Sequence, residues 1–145
     1  MPEFPPVADL LPHTGEMVLL HEVYSHSGDT TICTALPSKE GLFANADGRT
    51  GAWLGLELMA QCLAVHSGLV RRQEGGAPRI GLLVSSRRLR FLCTHYDPSQ
   101  KLRIQCQHIW GESTGMVSFD CSIHDEESEA LMAEGRLNCF VPDNG

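Results

Sequence analysis

Three stretches of the chain alternate apolar and polar side chains with a period of two. In 101–110, Leu102, Ile104 and Cys106 alternate with Lys101, Arg103, Gln105 and Gln107. In 116–124, Val117, Phe119, Cys121 and Ile123 alternate with Ser118, Asp120, Ser122 and His124. In 131–141, Leu131, Ala133, Gly135, Leu137, Cys139 and Val141 share one face. This period predicts half-buried antiparallel strands. RIGLLVSSRRLRFLC (79–93) reads as a further long strand with a bulge at Ser85-Ser86. MVLLHEVYS (17–25) and TTICTAL (30–36) are rich in β-formers, and Ser27-Gly28-Asp29 between them is a hairpin signal. Turns are expected at Asp97-Pro98, Gly111-Glu112 and Asp125–Ser128. Upstream, VADLLPH holds a short helical turn ended by Pro12, and 37–51 is a loop by composition.

Residues 52–70, AWLGLELMAQCLAVHSGLV, break the strand pattern. Only Glu57, Gln61, His66 and Ser67 are clearly polar there. A surface helix would show a broad polar face. A helix apolar on nearly every side must be enclosed by other structure, and Gly68 followed by RRQEGG marks its end. The order is β-β-α-β-β-β-β in one domain, 1–145. A single sheet covers only part of such a helix. The pattern therefore predicts an α+β fold, a strongly curved antiparallel sheet wrapped around one long central helix, in a dimer.

Composition adds three constraints. No apolar run reaches the ~18 residues of a membrane span, and the N-terminus lacks the basic-then-apolar pattern of a signal peptide, so a soluble, cytoplasmic protein is expected. The six cysteines carry no C-x-x-C pair and read as reduced thiols in the core, with no metal site and no cofactor implied. The net charge of −7 argues against nucleic acid as a partner. Yet Arg71, Arg72, Arg79, Arg87, Arg88 and Arg90 cluster against Glu74 alone. That segment is either a solvated face with a helix C-terminus or a docking site for an anion.

Glu57 and Gln61 are four residues apart and share one helix face. A carboxylate in an apolar helix is costly to ionise unless paired, and such groups mark sites of proton chemistry. The alternative is a Glu that hydrogen-bonds the backbone of a neighbouring loop. Gln61 has the same two readings: it bonds loop backbone or lines the same pocket.

GLELMAQ resembles the central-helix signature E-x-M-A-Q of the hot-dog-fold β-hydroxyacyl-acyl-carrier-protein dehydratases, through Glu57, Met59, Ala60 and Gln61. LLPHTGEMVLLHEV (10–23) is similar to that family's L-P-H-R-x-P-x-L-L-V-D-x-V segment, and IGLLVSSRRLRF (80–91) to its long strand after the helix. The resemblance spans about residues 8–141. Within the group, segment 45–61 most resembles the dehydratase-like proteins of aryl-polyene biosynthesis. It implies a hot-dog fold and a substrate held as a thioester on an acyl carrier protein by phosphopantetheine. It also implies a His and an acidic residue in a tunnel at a dimer interface. The His would remove the α-proton of a 3-hydroxyacyl thioester, the acid would protonate the leaving hydroxyl, and helix N-terminal amides would polarise the carbonyl.

Glu57 carries over as the acid. The family's His, in an H-F-P-G motif about fourteen residues upstream, does not: GLFANADG (41–48) has Phe43 there and no His. His13, in a Pro-His step the family shares, is the candidate base, or else a packing residue. His66 falls on the opposite helix face from Glu57 and reads as structural. His21, His26, His95, His108 and His124 read as surface or strand-edge residues. Asn45 and Asp47 either position a water or the thioester or shape a turn. Arg87 and Arg88 are candidates for binding an acidic carrier and its phosphate, although adjacent strand residues cannot both face one partner. Three readings follow: a 3-hydroxyacyl carrier dehydratase, a thioesterase on the same fold, or a non-catalytic partner that completes the tunnel of a heterodimer.

Overall fold

The computed structural model describes residues 4–13, 15–75, 81–112 and 115–142. Its strands are β1 (Glu22–Ser27), β2 (Thr30–Ala35), β3 (Thr50–Gly51), β4 (Leu82–Phe91), β5 (His95–Tyr96), β6 (Leu102–Trp110), β7 (Gly115–Asp125) and β8 (Leu131–Val141), with one long helix, α1 (Leu54–Gln73). Six strands form one antiparallel sheet in the order β1-β2-β6-β7-β8-β4. β3 and β5 make a separate two-stranded ribbon. The helix packs on β2, β6 and β7.

The alternating residues explain this arrangement. Leu102, Ile104 and Cys106, Val117, Phe119, Cys121 and Ile123, and Ala133, Leu137 and Cys139 are all buried on the face toward α1. The period-two pattern of β6, β7 and β8 is thus one continuous apolar floor. The hairpin forms as expected: Ser27 pairs Thr30, and Gly28 takes φ +60° at the first turn position, where a side chain would be strained. At the sheet centre Cys62 donates weakly to the carbonyls of Thr31 and Ile104. Burial first, then the neighbouring thiols Cys106 and Cys33, push the Cys62 pKa well up, which suits a thiol used as a core residue. All six cysteines are free.

Two glycines let α1 sit this close. A Cβ at Gly55 would lie 2.4 Å from Tyr96 Oη, and one at Gly68 would lie 2.6 Å from the carbonyl oxygen of Leu10. The hydroxyl of Tyr96, fully buried, donates to the carbonyl of Ala52 at 3.1 Å and so ties the ribbon to the chain two residues before the helix.

The structure departs from the pattern in four places. Residues 17–21 are not a strand: Gly15–Met17 is a 3-10 turn and β1 begins at Glu22. The helix starts at Leu54 rather than 52 and runs on to Gln73, because the polar last turn keeps helical bonds while facing solvent. The 37–51 loop ends in β3, too short for a periodic signal. In β4 the register slips not at Ser85-Ser86 but on either side of it, between Leu83 and Ser85 and between Arg87 and Arg90. Arg88 takes the left-handed φ of 54° at the second slip. Arg79 and Ile80 lie outside the described residues.

β4 is the sheet edge beside β8, and consecutive residues Leu82, Leu83 and Val84 are exposed by 57%, 42% and 57%. Neighbouring strand residues point to opposite faces. The slip between Leu83 and Ser85 breaks that alternation at Val84, and all three side chains are bare in the single chain.

Candidate active site

Gln61 is the anchor of the site. It is fully buried, and its side-chain oxygen accepts the N–H of Leu19 at 3.0 Å. Its amide group donates to the carbonyl of Met17 at 2.7 Å and to Glu57 Oε1 at 3.2 Å. A side chain on α1 thus does for segment 17–19 what a strand partner would otherwise do. This explains why an apolar, β-rich stretch is not a strand. The loop-backbone role weighed for Glu57 belongs to Gln61.

The same clamp brings the N-terminal segment over the helix. His13 Nε2 lies 3.3 Å from Glu57 Oε1. Among the described residues the other ring nitrogen, Nδ1, is buried without a partner, and Nε2 is the nitrogen turned toward the carboxylate. Both side chains are about one-third exposed, and both line a cavity of about 240 Å³. Its floor is the helix stripe Ala60, Ala64 and Ser67, and its far wall is Leu82 and Leu83 of β4 with Cys139 and Val141 of β8. The carboxylate therefore opens toward the bare edge of the sheet.

Phe43, in the position of the absent histidine, lines a neighbouring cavity of about 200 Å³ with Leu54, Leu58 and Tyr96. Its ring meets Trp53 edge-on at 5.8 Å. Position 43 supplies an apolar wall and no proton-transfer group. Burial, then the nearby Cys93 thiol, push the Tyr96 pKa up, so its hydroxyl keeps its proton.

Asn45 and Asp47 line neither cavity. The Asn45 N–H donates to the carbonyl of Arg49 and the Gly48 N–H to the carbonyl of Asn45. Asp47 accepts from the backbone N–H and guanidinium of Arg49, which hold its carboxyl below the usual carboxylate range. The two residues shape a turn.

Arg87 and Arg88 are exposed on β4, and among the described residues neither has an ion-pair partner. Arg88 lines an outer-face groove with Arg90 and Arg136, whereas Arg87 does not. Arg90 and Arg136 are held by Glu134 and Asp120. The structure does not bring any of these arginines to Glu57.

A second cluster of histidines escaped the sequence reading. His66 is 4% exposed, as a structural residue should be, and its Nδ1 lies 2.7 Å from Thr31 Oγ1. The same hydroxyl lies 2.7 Å from His26 Nδ1. His108 stacks on Phe119 at 5.1 Å, and Phe119 meets His66 edge-on at 5.4 Å. His26, on the edge strand β1 as a strand-edge residue should be, and His108 are thus half-buried members of one group. Burial first, then repulsion from His26 and His108, lower the His66 pKa to about 4, so the ring is neutral at neutral pH. The signal was present: a two-residue hairpin turn places His26 directly across from Thr31.

Among the described residues no helix is long and apolar enough to cross a membrane. No curated protein sequence is similar enough to match. Solved structures do match. The dehydratase heterocomplex ApeI:P of Xenorhabdus doucetiae aligns at a TM-score of 0.89 with 29% identity, over 98% of this chain and 94% of that one. Zebra fish thioesterase superfamily member 2 aligns at 0.66 with 16% identity, over 94% and 91% of the two chains. The protein smu.793 of Streptococcus mutans, bound to acetyl CoA, aligns at 0.64 with 14% identity, over 83% and 87%. The last two share the fold, a helix cradled by a hot-dog sheet. The sequence matches the ApeP-like family, described as ApeP dehydratase, over residues 5–145. With that span matched, and with the signature carboxylate of α1 opening into a cavity, the chain belongs to the ApeP-like dehydratases.

Proposed function

We propose that Glu57 and His13 form the proton-transfer pair of a dehydratase acting on 3-hydroxyacyl thioesters of an acyl carrier protein. One observation carries this reading: His13 Nε2 and Glu57 Oε1 lie 3.3 Å apart on the wall of one cavity. His13 removes the α-proton, and the protonated Glu57 gives its proton to the departing 3-hydroxyl. The C–O bond breaks, the α,β double bond forms and water leaves. Proton passage from His13 to Glu57 across the short gap restores both groups. Gln61 holds Oε1 in place, which leaves Oε2 as the freer oxygen for the hydroxyl. Arg87 and Arg88, exposed on β4, attract the acidic carrier and its phosphopantetheine phosphate. Such carriers work in the cytoplasm, where we place the chain.

A partner subunit belongs to this reading. Leu82, Leu83 and Val84 leave the β4 side of the Glu57 cavity uncovered, and a structurally similar protein is a heterocomplex. A related hot-dog subunit on this edge would enclose the cavity. The same observation favours a second reading, in which that partner supplies the histidine and His13 only supports Glu57.

The test is the purified chain, alone and with a histidine-bearing hot-dog subunit from the same source, given a 3-hydroxyacyl carrier thioester. Dehydration that needs both Glu57 and His13 supports the first reading. Dehydration that needs Glu57 and the partner's histidine but tolerates His13→Ala supports the second. Release of free carrier thiol without an enoyl product indicates a thioesterase and overturns both.

A further inference from the structure

The cavity that holds Glu57 and His13 is one-sided in its chemistry. Apart from these two residues, its lining carries no ionisable side chain except the Cys139 thiol, which burial pushes up to a pKa of about 11, so that wall stays uncharged. The one hydroxyl among the lining side chains is that of Ser67. Ala60, Ala64 and Ser67 follow Glu57 on α1 by three, seven and ten positions. At about 100° and ~1.5 Å per residue they stay within roughly 80° of Glu57 around the helix and lie about 4.5, 10 and 15 Å further along its axis. The cavity therefore runs lengthwise along α1, from the carboxylate to Ser67.

This stripe lies off the core side of the helix. Leu58, Met59, Val65 and Leu69 of α1 are buried in the core, whereas Ala60, Ala64 and Ser67 are half-buried. Their small side chains leave a trough between the helix and Leu83 of β4, with Cys139 and Val141 of β8. An uncharged trough suits a hydrocarbon chain. It does not suit the amides of a phosphopantetheine arm, which would lose water there without finding enough partners. The apolar cavity beside Phe43 is a separate space: it shares no lining residue with this one, and neither Glu57 nor His13 lines it.

We infer that the acyl chain lies along this stripe, with its third carbon beside Glu57 and its tail running toward Ser67, and that Ala60 and Ala64 set which chain lengths fit. The inference deepens the dehydratase reading and rests on Glu57 marking the thioester end. An extended chain advances roughly 1.2 Å per bond, a third of the ~3.6 Å that three backbone bonds span. Ala60 then stands beside about the seventh carbon and Ala64 beside about the twelfth. Each of the two alanines governs its own window of chain length.

Binding to the assembled protein carrying Glu57→Gln tests this without any turnover. The probes are 3-hydroxyacyl pantetheine thioesters of six, ten and fourteen carbons, measured by titration calorimetry. Affinity should rise with chain length, because each added methylene leaves water. Adding Ala60→Leu should weaken the ten- and fourteen-carbon probes by about tenfold relative to the six-carbon one, as filling an occupied space does. Adding Ala64→Leu should do this to the fourteen-carbon probe and leave the ratio of ten to six. Affinities that do not rise with length, or ratios that both substitutions leave unchanged or shift in the reverse order, overturn the inference. Should either substitution prevent folding or assembly, crosslinking of the Glu57→Gln protein decides. A fourteen-carbon probe with a diazirine on its twelfth carbon must label residues 60–67 or 139–141. Label confined to other segments, the loop 36–44 around Phe43 among them, overturns the inference. Failure of the dehydratase reading would look different: no water lost from any thioester with wild type, and the length dependence of binding intact.

Discussion

Gln61 Nε2 donates to Glu57 Oε1 at 3.2 Å while the same nitrogen donates to the carbonyl of Met17 at 2.7 Å. One amide thus fixes the N-terminal segment over the helix and orients the carboxylate. Replacing it should disturb both. Gln61→Leu leaves the Leu19 N–H and Met17 carbonyl without their partner, at a cost of about 1–3 kcal/mol for each group that stays dry. Urea unfolding should show a midpoint lowered accordingly, and dehydration should fall even where the protein remains folded. A stability within experimental error of wild type would contradict the clamp.

His13 and Glu57 act on one proton balance, so their substitutions should not add. Each of His13→Ala and Glu57→Gln should lower kcat/KM by about 10²–10⁴-fold, the usual worth of a positioned acid or base. The double variant should be little worse than the weaker single one, because groups that act as a unit lose their effect together. Multiplicative losses would indicate two independent roles.

His66 gives stability a pH dependence whose sign can be worked out. Its folded pKa, about 4, lies below the ordinary 6.5 of a histidine. Between those values the unfolded chain binds the proton and the folded one does not. Stability is therefore full above about pH 6.5 and is lost as the pH falls toward 4. The size is on the order of 3 kcal/mol at about 1.4 kcal/mol per pH unit. Burial also lowers the His26 pKa, which acts in the same direction. Urea midpoints measured at pH 7 and 4.5 check this, and His66→Phe should flatten the profile over that range.

Gly55 and Tyr96 make a contact that a methyl group would spoil. A Cβ at Gly55 meets the Tyr96 hydroxyl oxygen at 2.4 Å. Gly55→Ala should cost about 1–3 kcal/mol as an overpacked core change, despite the better helix propensity of Ala. Adding Tyr96→Phe removes the clashing oxygen, and the double variant should recover part of the loss in thermal unfolding.

How much of this was legible beforehand follows from the physics of each part. The strands β6, β7 and β8 were plain because one face is buried and the other is not, which writes a period of two directly into Leu102, Ile104, Cys106 and their counterparts. The helix was plain because it is enclosed. Residues 17–21 misled because β propensity records what fits a half-buried surface, not which backbone groups find partners. There Gln61 supplied the partners from another element. Glu57 stood out as a charge in an apolar run, and its neighbour His13 emerged through the resemblance rather than through spacing. The turn roles of Asn45 and Asp47 depend on Arg49, whose bonds no pattern announces. The His26–Thr31–His66 group joins three elements, and only its hairpin pair was readable in advance.

The most direct measurement follows the mass of a 3-hydroxyacyl chain on its carrier protein in the presence of the assembled enzyme. Loss of one water with wild type, and no loss with Glu57→Ala in a protein that still folds and assembles, is the predicted result. Dehydration that continues unchanged after Glu57→Ala would contradict the account.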